Sequence, residues 1–321
     1  LCGHLRIRHS NRCSHGIHPD SGMVAQGYDA GFSSALSAIS GSLGTVIPPS
    51  ITFIIYGMIT GESIGDLFLS GIIPGLIFGF MLCIMVFIKS RKNGWKGETQ
   101  RASLKEIGRL FLDTIWGLLS PVIVLGGIYS GLFTPTEAAA VAVVYSLIVG
   151  IFIYKELRLA ELKETLFSTA KTTGMILLII MNAGIFSWVL TQQGIAASLT
   201  EMALALTDNK YIMLVIINIV FLCAGCVMDN TSALYILVPI IMPIAKALDI
   251  NMIQLGVILV LNLSIGQVTP PVGPNLYVAA DIGKVKFEEI CRKMVPLLLM
   301  SLLALLCITY IPALSLCLIP S

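Results

Sequence analysis

The chain has 321 residues, of which 56% are hydrophobic and only 12% charged, and its mean hydropathy is +0.90. A soluble domain carries about twice that share of charged residues, so the composition excludes a soluble globular protein and predicts an integral membrane protein. The net charge of +2 gives no electrostatic reason to expect a nucleic-acid partner.

Residues 1–22 differ from the rest of the chain, because they hold all four histidines, two cysteines and three arginines. The side chains of Cys2, His4, Cys13 and His15 are of types that also bind metals. We favour a different interpretation, in which this segment comes from an out-of-frame translation or a damaged gene that rejoins the frame near Met23. It contains no apolar stretch typical of a signal peptide.

The apolar run that follows is interrupted by "GTVIPPSITF" (44–53). Pro48 and Pro49 lack backbone N–H groups and clash with the carbonyls four residues earlier. The carbonyls of Gly44 and Thr45 therefore lose their helical donors, and lipid offers no replacement. The sequence predicts a broken helix here rather than a simple membrane span.

Later apolar segments divide into full spans of about 20 residues and shorter runs that resemble half-membrane elements. The short runs flank the polar "MDNTS" (228–232), which predicts a re-entrant hairpin, or lead into "TPPVGPN" (269–275), which predicts a second broken helix. In chain order we predict a broken helix at 29–60, spans at 67–88, 110–130, 136–154 and 174–190, a hairpin at 211–248, a broken helix at 253–283 and a span at 294–318.

Two local patterns predict helix ends and surfaces. Thr134 precedes Pro135 and is followed three residues later by Glu137, which predicts a capping box at a helix start. The segment Lys155–Lys171 alternates charged residues with leucines and predicts an amphipathic helix on the cytoplasmic membrane surface.

The distribution of Lys and Arg predicts the orientation in the membrane. The loops 89–109, 155–172 and 284–293 hold seven, four and four of these residues, whereas the loops on the opposite side hold only Lys210 and Lys246. By the positive-inside rule the first set is cytoplasmic, which puts the carboxyl terminus outside. The alternation requires that the predicted hairpin enters and leaves the membrane on the same side.

The chain also matches itself at an offset of 222 residues, without a gap. Gly44 then meets Gly266, and Pro48-Pro49 meets Pro270-Pro271. Because the two copies run in opposite directions in this layout, the sequence predicts an inverted-topology repeat, which in secondary transporters places substrate and ion near the bilayer midplane. The predicted units are 1–22 (aberrant segment), 23–97 (remnant of the first repeat) and 98–321 (second repeat).

The predicted site combines the two breaks with the hairpin tip. Freed backbone carbonyls are suitable ligands for a hard cation such as Na⁺, and helix N-termini attract a substrate carboxylate. Polar side chains at membrane depth are costly, which favours a functional role for the hairpin tip. We expect Na⁺ as the coupling ion, with no other cofactor or metal. The candidate residues are Gly44, Thr45, Pro48, Pro49, Ser50, Asp229, Asn230, Thr231, Gly266, Thr269, Pro270 and Gly273.

Four stretches resemble the large membrane subunit of TRAP (tripartite ATP-independent periplasmic) transporters, and the resemblance covers about residues 23–320. It implies an all-α, elevator-type Na⁺ symporter of the bacterial or archaeal cytoplasmic membrane, which is not an enzyme. It further implies two protein partners, a small membrane subunit and a periplasmic binding protein that delivers a carboxylate such as a C4-dicarboxylate or sialic acid. The matching stretches are 27–57, 127–147, 228–250 and 261–279.

Three other function classes stay open at this point. The same architecture would suit a carboxylate or cation/proton transporter that needs no binding protein. An intramembrane enzyme would need a catalytic pair or metal ligands, and no histidine follows His18. A non-transporting scaffold or a non-functional truncated permease is the third alternative.

We also expect the chain to be incomplete. The second repeat starts near Gly108, so paired repeats would place the start of the first roughly 115 residues before Leu1. Without that part, we expect an open groove beside Gly44–Ser50.

Overall fold

The computed structural model describes residues 21–95, 103–155 and 157–319. Within these ranges the chain forms α-helices, one π-helical segment and loops, with no strand. The predicted all-α, polytopic class is therefore confirmed. The suggested metal ligands Cys2, His4, Cys13 and His15, and nearly all of the aberrant segment, lie outside the described residues.

Fourteen α-helices occur in the described ranges. They are α1 (Ser21–Ala25), α2 (Ala30–Leu43), α3 (Ile51–Thr60), α4 (Ile64–Asn93), α5 (Leu104–Tyr129), α6 (Pro135–Ile148), α7 (Leu159–Gln192), α8 (Ile195–Leu206), α9 (Lys210–Val227), α10 (Asn230–Ala247), α11 (Met252–Gly266), α12 (Pro274–Gly283), α13 (Phe287–Tyr310) and α14 (Ala313–Leu316), and a π-helical turn (Val149–Ile153) extends α6.

Seven helices are long and apolar enough to cross a membrane, counting only the described residues: α4, α5, α6 with its π-helical turn, α7, α9, α10 and α13. The hairpin helices α9 and α10 have 18 residues each, or about 27 Å at 1.5 Å per residue, and are longer than the predicted half-membrane elements. Asp229 caps α10, so that Asn230–Ser232 belong to its first turn and only two residues connect the helices.

The same order of helices occurs twice. A short helix, a break, a second short helix and a long helix make up α2–α4 and again α11–α13. The starts of α2 and α11 are 222 residues apart, and those of α3 and α12 and of α4 and α13 are 223 apart. Both long helices contain a proline at the matching position, Pro74 and Pro296, and both breaks contain a cis Pro-Pro peptide bond.

Helix α11 lies at the centre of the packed core. Every residue from Gln254 to Gly266 is buried, and α11 contacts α3, α4, α9, α10 and α13. A 15-residue helix that is apolar nearly all round is suited to complete burial. Because α11 contacts helices on both sides of the first break and both helices of the hairpin, these parts of the chain lie close together.

The helices α5, α6 and α7 are much less buried. Only 11% of the most apolar window of each is buried, against 28–39% for α4, α9, α10 and α13. Thr134 and Glu137 form the predicted capping box at the start of α6. The predicted surface helix and the span at 174–190 are one continuous helix, α7, because no proline or cap interrupts the helix once it has formed.

Candidate functional site: two broken helices and a hairpin

The first break extends from Gly44 to Ser50. Helix α2 ends at Leu43, and the Gly44 N–H still donates to Gly41 O at 3.1 Å. The Thr45 hydroxyl donates to Ser42 O at 2.8 Å, and the buried Ser50 hydroxyl donates to Thr45 O. The Ser50 hydroxyl thus replaces the backbone donor that Pro49 lacks.

The second break extends from residue 267 to Gly273. The N–H of Thr269 donates to Gly266 O at 2.9 Å, and that of Asn275 donates to Gln267 O at 3.1 Å. Gly273 has a φ of +44°, and a Cβ at this position would lie 2.9 Å from Thr269 O. The tight return of the chain into α12 therefore requires glycine.

Most of the carbonyls predicted to be free have found other donors. The Thr45 carbonyl accepts from the Ser50 hydroxyl and the Gly266 carbonyl from an N–H of its own break. The Gln267 carbonyl accepts from an N–H at the start of α12. For the Gly44 carbonyl, no donor occurs in the described parts of the chain. The prolines remove helical partners as predicted, but Gly44 alone of these four retains a free acceptor.

The two breaks contact each other across the repeat. The hydroxyl oxygens of Thr45 and Ser264 lie 2.6 Å apart in a hydrogen bond between the first break and α11. The Asn275 amide in α12 donates to Ser42 Oγ in α2 at 3.0 Å. Ser42 and Ser264 occupy equivalent positions in the repeat, so each repeat uses the same serine to contact the other.

The hairpin lies against the second break through α9. A Cβ built on Gly266 would lie 2.7 Å from Gly225 Cα, so only glycine allows these backbones to approach this closely. The next residue of α9 after Gly225 is Cys226, and its carbonyl accepts a hydrogen bond from the Gly273 N–H at 3.2 Å. The end of α9 and the second break therefore form one continuous piece of packed backbone.

The hairpin tip exposes one carboxylate and buries one amide. The exposed Asp229 accepts from Ser232 N at 3.1 Å and from Ser232 Oγ at 2.6 Å, so it caps α10. Asn230 is only 7% exposed, and its Oδ1 has no hydrogen-bond partner among the described residues. Thr231 is half-buried. Asn230 Oδ1 and Gly44 O are thus two neutral oxygens without a hydrogen-bond donor among the described residues.

The two prolines of the first break differ in exposure. Pro48 is buried and Pro49 is exposed, as are the neighbouring side chains of Ile47 and Ile51. Beside the hairpin tip, a cleft of about 580 Å³ separates α7 from α10, and it is lined by Asn182, Ser232 and apolar side chains. The described residues therefore leave one side of the first break and one side of the tip uncovered.

A network of buried polar side chains connects α11 with α9 and α13, and the sequence analysis did not identify it. The Asn262 amide donates to Asn218 Oδ1 at 2.6 Å, and Asn218 donates to Thr309 Oγ1 at 3.2 Å. Gln254 donates to Thr309 O at 3.1 Å. Amides within apolar runs were the available signal, since they are costly in lipid unless paired.

An ion pair joins the repeats at the start of α2. Asp29 caps α2 by accepting from Phe32 N at 2.8 Å, and Lys293 in α13 lies 2.9 Å from its other oxygen. Burial raises the pKa of Asp29, but the hydrogen bond and charge of Lys293 and the Phe32 N–H outweigh it, so the pKa lies below its ordinary value.

The structure thus brings most of the predicted residues into contact, both between the two breaks and between the second break and the hairpin. The first break and the second break meet through Thr45 and the start of α12, and Gly266 and Gly273 contact the hairpin through α9. Asp229 is engaged within the hairpin tip itself. Besides the buried amides described above, the sequence analysis missed Ser42, Ser264 and Asn275, although Ser42 and Ser264 already coincide in the 222-residue repeat.

Sequence comparisons agree with this architecture. The isethionate TRAP transporter permease protein DctMQ of Oleidesulfovibrio alaskensis is 40% identical over 91% of this chain, which spans 46% of that protein. The C4-dicarboxylate TRAP transporter large permease protein DctM of Pseudomonas aeruginosa is 42% identical over 93% of this chain and 70% of its own length. The sialic acid TRAP transporter large permease protein SiaM of Vibrio cholerae is 36% identical over 90% of this chain and 67% of its own.

The family described as "Tripartite ATP-independent periplasmic transporter, DctM component" matches residues 19–314. The match covers both breaks, the hairpin and all seven candidate spans. These relatives are named as transporter permeases and are not enzymes. The chain is therefore a multi-pass membrane protein that belongs to the DctM family of TRAP transporter large permeases.

Proposed function

We propose that this chain belongs to the large permease subunit of a Na⁺-coupled transporter that imports an organic acid with the help of a periplasmic binding protein and a small membrane subunit. The observation that carries the proposal is the meeting of two broken helices through Thr45–Ser264 and Asn275–Ser42. Paired breaks of inverted repeats are the usual ion and substrate sites of secondary transporters.

An organic anion is the substrate class that best suits the site and the relatives. The three relatives described above are named for isethionate, C4-dicarboxylates and sialic acid, all of which are anions at neutral pH. Helices α3, α10 and α12 begin at the breaks and at the hairpin tip, and the N–H groups of such ends attract a carboxylate or sulfonate.

Sodium fits the oxygen atoms that the site offers. Hard cations prefer carbonyl, hydroxyl and carboxylate oxygens. The breaks and hairpin tip supply these from Gly44, Thr45, Asn230 and Thr269, with the exposed Asp229 as the nearest carboxylate in sequence. A bound Na⁺ would supply positive charge for an anionic substrate and would link binding to the Na⁺ gradient.

The location follows from the same proposal. We infer that the chain lies in the cytoplasmic membrane of a bacterium or archaeon, with its Lys- and Arg-rich loops inside and its carboxyl terminus outside. The name DctMQ of one relative suggests a permease in which large and small subunits are fused, and we propose a separate or fused small subunit as the membrane partner here.

Uptake into proteoliposomes tests the proposal. The chain is reconstituted with the small subunit and the binding protein, and uptake of a labelled organic acid is measured with Na⁺ or K⁺ outside. We expect uptake only with Na⁺ and the binding protein. Equal uptake in K⁺ would overturn Na⁺ coupling, uptake without the binding protein would favour the binding-protein-independent alternative, and no uptake under any condition would contradict transport by this chain.

Two substitutions sharpen the ion assignment. Asp229→Ala and Thr269→Val each remove an oxygen from the proposed cation environment; the first also removes the cap of α10, and the second removes the hydrogen bond from the Thr269 hydroxyl to Ile265 O. We expect both to raise the Na⁺ concentration needed for half-maximal uptake, with little change in the amount of protein in the membrane. Unchanged Na⁺ activation in both variants would exclude these two residues as ligands.

A further inference from the structure

One side chain, the amide of Asn275, contacts both broken helices. Its Nδ2 donates to Ser42 Oγ at 3.0 Å and to Gln267 Oε1 at 3.1 Å. Its backbone N–H donates to Gln267 O at 3.1 Å. A single residue thus joins the start of α12, the first residue of the second break and the last turn of α2.

Ser42 connects this amide to the first break. It is only 1% exposed, and its carbonyl accepts from Thr45 N at 3.1 Å and from Thr45 Oγ1 at 2.8 Å. Thr45 in turn contacts Ser264 in α11. A displacement of Asn275 would therefore change the position of Ser42 and, through it, the position of Thr45.

The contact occurs on one side of the repeat only. The 222-residue offset places Phe53 where the second repeat has Asn275. Phe53 is fully buried against α4, where a Cβ on Gly71 would lie 2.6 Å from its ring. The two repeats have the same order of helices and breaks, but at this position only the second has an amide that bridges to the other repeat. Asn275 is therefore not required by the repeated architecture itself.

The chemistry of the contact requires an uncharged group with two donors. Ser42 Oγ and Gln267 Oε1 both act as acceptors toward Asn275 Nδ2, and a carboxamide nitrogen carries two N–H groups. A carboxylate at this position would supply no N–H donor, so the Ser42 hydroxyl would have to turn away from Ala38 O and the Gln267 amide would have to exchange its O and N positions. An apolar side chain would leave both partners without a donor. Because both N–H groups are used, Asn275 acts through Ser42 and Gln267.

We propose that Asn275 is a positioning residue that fixes the two breaks relative to each other, so that cation binding at one break depends on the geometry of the other. The inference rests on the proposed Na⁺ coupling and deepens it. Because this link already holds the two breaks in place, less free energy is needed to order the binding groups when a cation binds.

Sodium-dependent thermal unfolding of the purified chain tests this inference. Na⁺ is varied against K⁺ at constant ionic strength, and the Na⁺ concentration for half of the maximal Tm increase is recorded, since a ligand of the folded state raises Tm according to its affinity. We expect Asn275→Ala to raise this concentration about tenfold, equivalent to about 1.4 kcal/mol.

A second variant and a control separate positioning from stability. Ser42→Ala removes the other end of the link, so we expect it to shift the Na⁺ response in the same direction and the double variant with Asn275→Ala to shift it no further. Asn209→Ala changes an exposed asparagine that caps α9, far from both breaks in sequence, and should leave the Na⁺ response unchanged.

Each outcome decides between the alternatives. If Asn275→Ala lowers Tm in K⁺ but keeps the wild-type Na⁺ response, Asn275 is merely structural and the inference is wrong. If that variant does not fold, the Ser42→Ala response decides in the same way. A wild-type chain with no Na⁺ response would instead overturn the proposed Na⁺ coupling itself, which distinguishes the two failures.

Discussion

The core of the broken helices and the arm of α5–α8 are built on different principles. In the core, short helices with breaks are buried together, and polar side chains such as Asn262 and Ser264 have no exposed surface. In the arm, helices without such breaks expose large apolar side chains, among them Phe167 in α7 at 78% and Leu206 in α8 at 73%. The contrast shows where the structure depends on specific contacts and where apolar character suffices.

This difference has a physical cause. A continuous helix satisfies its own backbone hydrogen bonds, so it needs only an apolar surface to lie in lipid. A broken helix leaves backbone groups that must be paired by neighbouring protein, which requires close packing and specific polar side chains. The same type of substitution should therefore have different effects in the core and in the arm, and matched pairs of variants test this.

The largest expected difference concerns two helical glycines. Gly266→Ala places a methyl group against the backbone of Gly225, which should destabilise the chain by roughly 1–3 kcal/mol. In Gly184→Ala in α7, the added Cβ has no atom within 4 Å. This variant should stabilise the chain by up to about 1 kcal/mol, because alanine favours the helix more than glycine does. Thermal unfolding in detergent measures both, and two changes of equal sign and size would contradict the distinction between core and arm.

Buried amides give the next largest effect. Asn262→Ala leaves Asn218 Oδ1 without its donor in the core, at a cost of about 1–3 kcal/mol. Asn182→Ala in α7 removes only an exposed amide that donates to its own helix and should change stability by less than about 0.5 kcal/mol.

The polar core pair also allows a rescue. In Asn218→Leu/Asn262→Leu both partners become apolar, and the loss should be smaller than for Asn262→Ala because no buried acceptor remains without a donor in this pair. Urea or thermal unfolding compares the variants. If the stability loss of the double variant equals the sum of the losses of Asn218→Leu alone and Asn262→Leu alone, the two amides do not act as a pair.

Two threonine hydroxyls differ by a smaller amount. Thr45→Val removes the hydrogen bond to Ser264 between the repeats and should cost about 1 kcal/mol. Thr114→Val in α5 removes a hydroxyl that donates only to carbonyls of its own helix, and we expect no measurable change in Tm. Equal losses for both would mean that the contact between the breaks contributes nothing beyond a local hydrogen bond.

The smallest expected effect is the pH-dependent contribution of Asp29. Its pKa in the folded chain is lowered, so its stabilising effect is present above its ordinary pKa of about 4 and is lost as the pH falls through the lowered value. Asp29 and Lys293 are 30% and 37% exposed, and such a pair contributes at most about 1 kcal/mol.

Asp29→Asn isolates this contribution, because asparagine still caps a helix. We expect a small loss of stability at pH 7 that disappears at acid pH, measured by thermal unfolding across the pH range. Asp208→Asn, in the exposed loop before α9, removes the same charge and is the control for the change of net charge. A loss from Asp29→Asn that persists at low pH would assign the effect to capping.

Much of the fold could be predicted from the sequence because helices and their ends are local. Apolar runs of spanning length predicted the long helices, and the Thr134–Glu137 pattern predicted a capping box that the structure confirms. At the hairpin, the sequence predicts that Asn230–Ser232 form the polar tip between two apolar runs, whereas the structure places them in the first turn of α10. A polar side chain in the first turn of a helix and one in a loop look alike in sequence.

The sequence by itself determined that the two Pro-Pro pairs interrupt helices, since proline lacks an N–H wherever it stands, and that these interruptions repeat after 222 residues. Only the tertiary structure decided which groups fill the lost hydrogen bonds. Ser50, Thr269 and Asn275 satisfy three carbonyls, and Asn275 reaches Ser42 across 233 residues of sequence. Such long-range pairs depend on how the helices pack, and no local pattern of residues specifies that packing.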